Sequence, residues 1–312
     1  MLQSPPPRLS GHETFACRFA WLPKVVKELN SAEEHSNLLF KDENLAMVRL
    51  GVGKNMVRSI RFWAEVSGII EPLSSGGHTV TEFGNRILGY EGHDPYLEKQ
   101  ETLWLIHWNI STSIPAVYYW QQMLNFWHRP DFNFSEVYPF LERGLPINSQ
   151  SRSKRTIGDG FKVFVHTYVP TKGRKGEIME DNLDCPLVEL GLIKIVGSRP
   201  DEKSGRNEPI YAFNFDDKAE VTNSLFAYCI SDYWKNSHHS GETLDFRSIS
   251  SGEGSPGQIF KLPELAVRMR LEQLQHSSKG TFDFLESSTI QQVVKKKEVD
   301  SIALLDNIYL SI

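Results

Sequence analysis

The densest set of side chains able to bind an anion is Arg49, Lys54, Asn55, Arg58, Ser59 and Arg61. Arg58 and Arg61 stand three residues apart, which places them on one face of a helix, and Lys54 and Asn55 would open that helix. Basic side chains beside helix N-terminal amides suit phosphate oxygens, and an amide such as Asn55 can pair a base edge. His78, after Gly76 and Gly77, would lie at a hairpin tip beside them. A second basic run holds Ser149, Ser151, Arg152, Ser153, Lys154 and Arg155, with Lys162 and His166 following. Either run also fits a solvated surface on a domain that binds protein. Lys295, Lys296 and Lys297 fit a solvated helix end.

Two acid-containing groups could do more than bind. His12 and Glu13 stand close to Arg18 and Lys24. Imidazole and carboxylate can hold a divalent metal ion or orient a water, and an arginine can stabilise charge developing on a phosphate. The competing reading makes Glu13 a helix-start acid favoured by the macrodipole. Asp94, Glu98 and Glu101, if helical, would share a face with His107 and could hold Mg²⁺. The competing reading is an acidic first turn followed by a buried histidine.

Other motifs point to less. GVGK at residues 51–54 echoes a phosphate loop, but it follows a helical pattern and Asn55 replaces the required Ser or Thr. His238 and His239 have no nearby cysteine or acidic partner in the sequence. Cys17, Cys185 and Cys229 are too scattered for a zinc site or a disulfide framework, which fits a reducing cytoplasm. Cys17 could carry sulfur, but no resolving cysteine stands near it in the sequence.

The elements that must position these groups can be read from periodicity. Residues 12–30 space Phe15, Phe19, Leu22, Val25, Val26 and Leu29 as an amphipathic helix kinked near Pro23. Residues 1–11, rich in Pro and Ser, read as a loose arm. Residues 42–88 give helix, tight turn at Gly51–Lys54, second helix near 55–67, and two short strands around a tip at 74–78. That is the winged helix-turn-helix order. Residues 94–128 read as a buried aromatic helical pair, and VELGLI at 188–193 repeats the helix–Gly–strand close of AEVSGII at 64–70. Gly158 and Gly160 weaken the helix expected at 154–168. The C-terminal region reads as helices at 219–237, 263–275 and 291–297, with a loop at 238–257.

The expected fold is therefore mainly α with small β wings, in several domains: winged helix-turn-helix modules joined by helical segments. The boundaries are 1–92 for the arm and first winged helix, 93–146 for an aromatic helical domain, 147–217 for a second winged-helix-like module and 218–312 for a C-terminal helical module. The chain of 312 residues is 40% hydrophobic and 23% charged, a composition that folds. Its net charge of −5 excludes a general DNA-coating protein and leaves binding to local basic patches. No cleaved export signal and no membrane span are expected, so the expected location is the cytoplasm.

SGHETFACRFAWLPK (10–24), LAMVRLGVGKNMVRSIRFWAEVSGII (45–70), YLEKQETLWLIHWNI (96–110), CPLVELGLI (185–193), SPGQIFKLPELAVRMRLEQL (255–274) and SIALLDNIYL (301–310) together resemble a family. It is the bacterial domain-of-unknown-function family typified by SspB, the DNA-nicking component of the Ssp DNA phosphorothioate-modification system. The resemblance spans nearly the whole chain and implies a double-stranded DNA substrate, backbone nicking for sulfur insertion and an associated role in phage defence. It also implies a cysteine desulfurase, an ATPase and a PAPS-reductase-like ATP pyrophosphatase as partners. A homodimer and a divalent metal ion are further expectations; no membrane partner is expected. The site assignment is His12, Glu13 and Arg18 for the chemistry. Arg49, Lys54, Asn55, Arg58, Ser59, Arg61, His78, Arg152, Lys154 and Arg155 are assigned to DNA. The residues alone favour a different function: a non-catalytic winged-helix DNA-binding adaptor or transcription regulator.

Overall fold

The computed structural model describes residues 5–32, 36–149, 152–170, 185–201, 205–236 and 241–310; His238, His239 and Ser151 lie outside them. It is rich in helix and carries small antiparallel sheets, in two units, Met1–Asn214 and Phe215–Ile312.

The first unit opens with a pinned segment rather than a loose one. Arg8 N–H donates to the Ala116 carbonyl at 2.7 Å, and Tyr118 N–H donates back to the Arg8 carbonyl at 3.0 Å. The helix expected across 12–30 is confined to α1, Trp21–Leu29. Glu13 and Thr14 take left-handed φ of 47° and 69°, which a helix does not admit. Pro23 falls in the first turn, where its missing N–H leaves no helical bond unmade, so there is no kink.

Helix α2, Glu43–Leu50, is capped by Asp42, whose Oδ1 accepts the N–H groups of Asn44 and Leu45. It stops at Gly51, whose φ of 63° suits glycine best. Lys24 Nζ donates to the last carbonyl, Leu50, at 2.6 Å. Extended Gly53 then opens α3, Lys54–Val66, which buries Val57, Ile60, Trp63 and Ala64. Strands β1 (Ile70–Pro72) and β2 (His78–Val80) pair antiparallel, with Ile70 opposite Val80, and α4 (Glu82–Leu88) follows, capped by Thr81. The helix break at Gly51–Lys54 and the hairpin fall where the sequence places them.

Helix α5 runs over Gln100–Thr112, not from Asp94. The Asp94 carboxylate instead accepts the N–H groups of Glu98 and Lys99, and Leu97 takes a φ of 62°. Helix α6, Tyr118–Gln121, continues into a π-turn over Gln122–Phe126. Helices α7 (Phe134–Gly144) and α8 (Lys154–Tyr168) are capped by Asn133 and Ser153. The expected weakening at Gly158 and Gly160 does not break α8. At Gly160 a Cβ would collide with the Tyr119 ring, so the missing side chain is what lets α8 pack against α6. The helix expected before Gly191 is only a 3₁₀ turn, Pro186–Leu190. Strands β3 (Asp131–Phe132), β4 (Ile193–Pro200) and β5 (Asn207–Phe213) form one sheet in the order β3-β5-β4.

Aromatic residues fill the core of this unit. Trp63 and Trp120 meet edge to face at 5.6 Å. Trp120 Nε1 donates to Tyr168 Oη at 2.8 Å, and His107 Nδ1 lies 2.7 Å from the same oxygen.

The second unit holds α9 (Asn223–Asn236), β6 (Thr243–Asp245), α10 (Phe246–Ser251), α11 (Pro256–Ile259), α12 (Glu264–Glu272), α13 (Leu274–Ser277), β7 (Phe282–Glu286), β8 (Gln291–Lys295) and α14 (Ser301–Leu310). Two expectations are corrected. The supposed loop at 238–257 contains β6 and two short helices. The supposed helix at 291–297 begins as strand β8, because Val293 packs inward from the centre of a three-stranded sheet of order β6-β8-β7. Its β-branched pair Val293–Val294 suits a strand. Phe282 stacks on Trp234 at 5.6 Å, and buried Arg270 donates to the carbonyls of Val221, Ala266 and Lys218.

The Gly160 packing is testable. Gly160→Ala should lower the urea midpoint, because overpacking of about 1–3 kcal/mol exceeds a helix-propensity gain of about 1 kcal/mol. An unchanged or raised midpoint would contradict the Tyr119 contact.

Candidate nucleic-acid interface

Helix α3 turns Lys54, Asn55 and Arg61 to solvent, with Arg58 half-exposed between them. One carboxylate serves two of these cations: Glu43 on α2 lies 2.8 Å from Lys54 Nζ and 2.8 Å from Arg58 Nε. The hydrogen bonds from Lys54 and then Arg58 hold the Glu43 carboxyl below the usual carboxylate range, and Glu43 in turn raises the Arg58 guanidinium. Arg61 Nε is 3.9 Å from Glu65, one turn along. Exposed pairs of this kind are weak and screened by salt. Lys41 stands beside the hairpin turn, with its Nζ 3.9 Å from the position of a Gly76 Cβ.

Three residues assigned to DNA point elsewhere. Ser59 is fully buried beside Phe62 and Trp63, so its hydroxyl reaches no surface ligand. His78 is not at the tip but is the first residue of β2, whose alternation turns it inward with Val80. Its Nε2 lies 3.0 Å from Glu65 Oε1, and its ring meets Phe40 edge to face. Arg49 holds Glu28 at 3.1 Å and Ser31 at 3.2 Å and fastens α2 to the end of α1. Arg152, Lys154 and Arg155 lie at or just before the start of α8. Arg155 is almost wholly exposed, and Lys154 Nζ sits over the rings of Phe134 and Tyr138 at 5.7 and 5.1 Å.

The three N-terminal residues lie in different surroundings. Glu13 is half-exposed and close enough for its charge to reinforce Arg58. Arg18 lies over the Trp21 ring at 5.5 Å. His12 is buried edge-on against Phe62, with neither ring nitrogen hydrogen-bonded. Burial pushes its pKa down to about 4, so it is neutral at neutral pH. Cys17 lies in the segment before α1, not on a helix face. Burial, then the nearby Cys185, raise its thiol well above the usual range, which disfavours the thiolate a sulfur carrier needs. Asp94, Glu98 and His107 do not converge: Asp94 is a backbone cap, Glu98 is exposed, and His107 is buried against Tyr168. Among the described residues no group of three His, Cys, Asp or Glu could hold a metal ion.

The residue patterns did not reveal Glu65, which gathers Arg8 at 2.6 Å, His78 and Arg61. Burial raises its carboxyl, but the His78 and Arg8 hydrogen bonds outweigh that and leave it lowered. The one available signal was its position four residues after Arg61 on the same helix.

Helix, tight turn, helix and hairpin thus follow one another, with Lys54, Asn55 and Arg61 outward on the second helix. The chain belongs to the family described as "Protein of unknown function (DUF4007)", whose model matches residues 9–309. Its fold is similar to that of a solved structure described as "Magnesium ion-bound SspB crystal structure": TM-score 0.80, 24% identity, covering 97% of this chain and 90% of that one. A second, described as "SspB crystal structure", gives TM-score 0.79 at 23% identity over 96% and 87%. No curated protein matches the chain. Among the described residues no helix is long and apolar enough to cross a membrane.

The buried histidine has a pH signature. The folded pKa of His12, about 4, lies below its ordinary 6.5, so its contribution to stability is complete above pH 6.5 and is lost as pH falls toward 4. The slope approaches about 1.4 kcal/mol per pH unit for one such group. His12→Leu should flatten that acid limb in urea titrations, leaving the contribution of half-buried His166, which burial and then Lys162 also push down to about 4. An identical limb in the variant would contradict the burial of His12.

Proposed function

We propose that this chain is a winged-helix DNA-binding protein that opens one strand of the DNA backbone in a phosphorothioate-modification system. The observation that carries the reading is the outward cationic face of α3, set between a glycine turn and a hairpin, in a chain whose fold is similar to SspB over nearly its full length. In the second unit, the order helix, strand, helices, hairpin and the sheet order β6-β8-β7 fit a further winged helix. In this reading α3 enters the major groove. Lys54 and Asn55 meet base edges or phosphate there, Arg58 and Arg61 meet phosphates, and Lys41 follows the backbone with the hairpin. Arg152, Lys154 and Arg155 extend the phosphate contact from α8.

The proposed chemistry is hydrolysis of one phosphodiester: water adds to phosphorus, one P–O bond breaks, and the leaving oxygen takes a proton. Glu13 is the candidate base, because it is a half-exposed carboxylate whose charge reaches Arg58 while Glu43 is engaged by Lys54 and Arg58; Arg18 would steady the phosphate. His12, buried and neutral, would position the segment. The described side chains do not assemble a metal-holding group, so no step is routed through a metal ion. Proposed partners are duplex DNA, a cysteine desulfurase, an ATPase, a PAPS-reductase-like ATP pyrophosphatase and a second copy of the chain. The second reading is a non-catalytic DNA-binding adaptor, and the inward-facing His12 favours it.

Plasmid nicking separates the two. Purified protein, with and without Mg²⁺, should convert supercoiled plasmid to open circles. Glu13→Gln should lose about a hundredfold or more in rate with DNA binding intact. Binding without open circles in either buffer would leave the adaptor. Log affinity should also fall linearly with log salt, by about 0.9 per phosphate neutralised, and Arg58→Ala should make that slope shallower by about one. Glu43→Gln, which removes the competing carboxylate, should tighten binding. An unchanged slope in Arg58→Ala would move the interface off α3.

A further inference from the structure

Helix α8 and strand β5, in the first unit, enclose a cleft of about 300 Å³ that none of the contacts assigned above uses. Its walls are aromatic: Phe134, Phe161 and Tyr211, with ring centroids 5.6 Å apart for Phe134–Phe161 and 6.5 Å for Phe161–Tyr211. Gly158 forms part of the wall and lets α8 approach the Phe134 ring closely; a Cβ there would stand 3.1 Å from Phe134 Cζ. The volume lies at the small end of ligand pockets, roughly 300–1,000 Å³, and suits a ligand of few rings.

The mouth is polar: Lys162, His166 and Glu208 line it, and Lys154 stands nearby over Phe134. Lys154, Gly158, Lys162 and His166 repeat every four residues, so they form one stripe along α8. Lys154 lies over the outer face of Phe134, Lys162 is exposed at the rim, and half-buried His166 lines the cleft. Burial and Lys162 keep His166 neutral, so it offers a hydrogen bond rather than a charge. Glu208 closes the other side, with one oxygen 3.1 Å from the Ser135 N–H that it accepts. Flat apolar walls ask for a flat ring, and lysines outside the mouth ask for an anion attached to that ring. Aromatic platforms flanked by basic side chains are how proteins hold single-stranded nucleic acid, one base stacked per ring.

We infer that the cleft between α8 and β5 receives a single unstacked nucleobase, with Lys154 and Lys162 on its flanking phosphates. Drawing a base out of the stack costs least where that base is unpaired. The inference rests on the DNA reading above and deepens it.

Fluorescence anisotropy on two labelled duplexes, one fully paired and one with a single bulged base, tests it. The parent protein should bind the bulged duplex about tenfold more tightly, within the range of one stacked base. Gly158→Leu, whose side chain presses on Phe134 and crowds the cleft, should lose that preference and keep its affinity for the paired duplex. Tyr211→Leu, which removes a ring without adding bulk, should show the same loss and decides the matter if Gly158→Leu does not fold. Equal binding of the two duplexes by the parent, or a preference that survives the variants, overturns the cleft assignment alone. Binding to neither duplex overturns the DNA reading itself.

Discussion

The edge-to-face contact of Trp63 with Trp120 is the joint on which the first unit depends. Trp63 is the fully buried anchor of α3, and its Nε1 ties the N-terminal segment to the core through the Phe15 carbonyl at 3.0 Å. Trp120 passes the connection to α8 through Phe164 and Tyr168, and Tyr168 passes it to His107 on α5. The indole and phenol hydrogen bonds are all internal, so the cluster buries large rings without stranding these polar atoms. The cationic face of α3 and the cleft beside α8 are both held by this cluster, at opposite ends of one indole pair. Removing either tryptophan would cost about 3–5 kcal/mol, enough to release both surfaces at once.

Electrostatics on this scaffold is local. A net charge of −5 would repel DNA if it were spread evenly. Instead Glu43 and Glu65 each gather several cations at the ends of α3's outer face. These carboxylates hold the basic side chains in place while no polyanion is present. The Glu43 pairs are the more exposed, and in the proposed function phosphate oxygens would take over their donors, whereas Glu65 stays partly buried against Arg8 and His78. That arrangement suits binding that is salt-sensitive and transient.

Much of this was legible in the sequence where local chemistry dictates structure. Gly51 and Gly53, two residues apart between two helical patterns, mark a stop and a restart, so the turn before α3 could be read directly, as could the outward Lys54, Arg58 and Arg61. The failures share a cause: the deciding contact lies far away in sequence. His78 looks like a hairpin tip, but strand alternation and Glu65 draw it inward. Ser59 looks like part of a basic surface, but the period of α3 puts it with Phe62 and Trp63. Gly160 looks like a helix breaker until Tyr119 is seen to need its space. Val293 and Val294 sit in a lysine-rich stretch that reads as helix, yet they complete a sheet with strands at both 243–245 and 282–286. The cleft was invisible because Phe134, Phe161 and Tyr211 come from three separate segments.

Under the proposed function the outer face of α3 and the adjacent hairpin turn meet duplex DNA, which hydrogen–deuterium exchange of the full chain with and without a duplex would register. Exchange at the backbone amides of residues 52–58 and 73–77 should slow when DNA is added, and the protection should weaken as salt is raised. Unchanged exchange in both segments, with protection confined to the second unit, would contradict it.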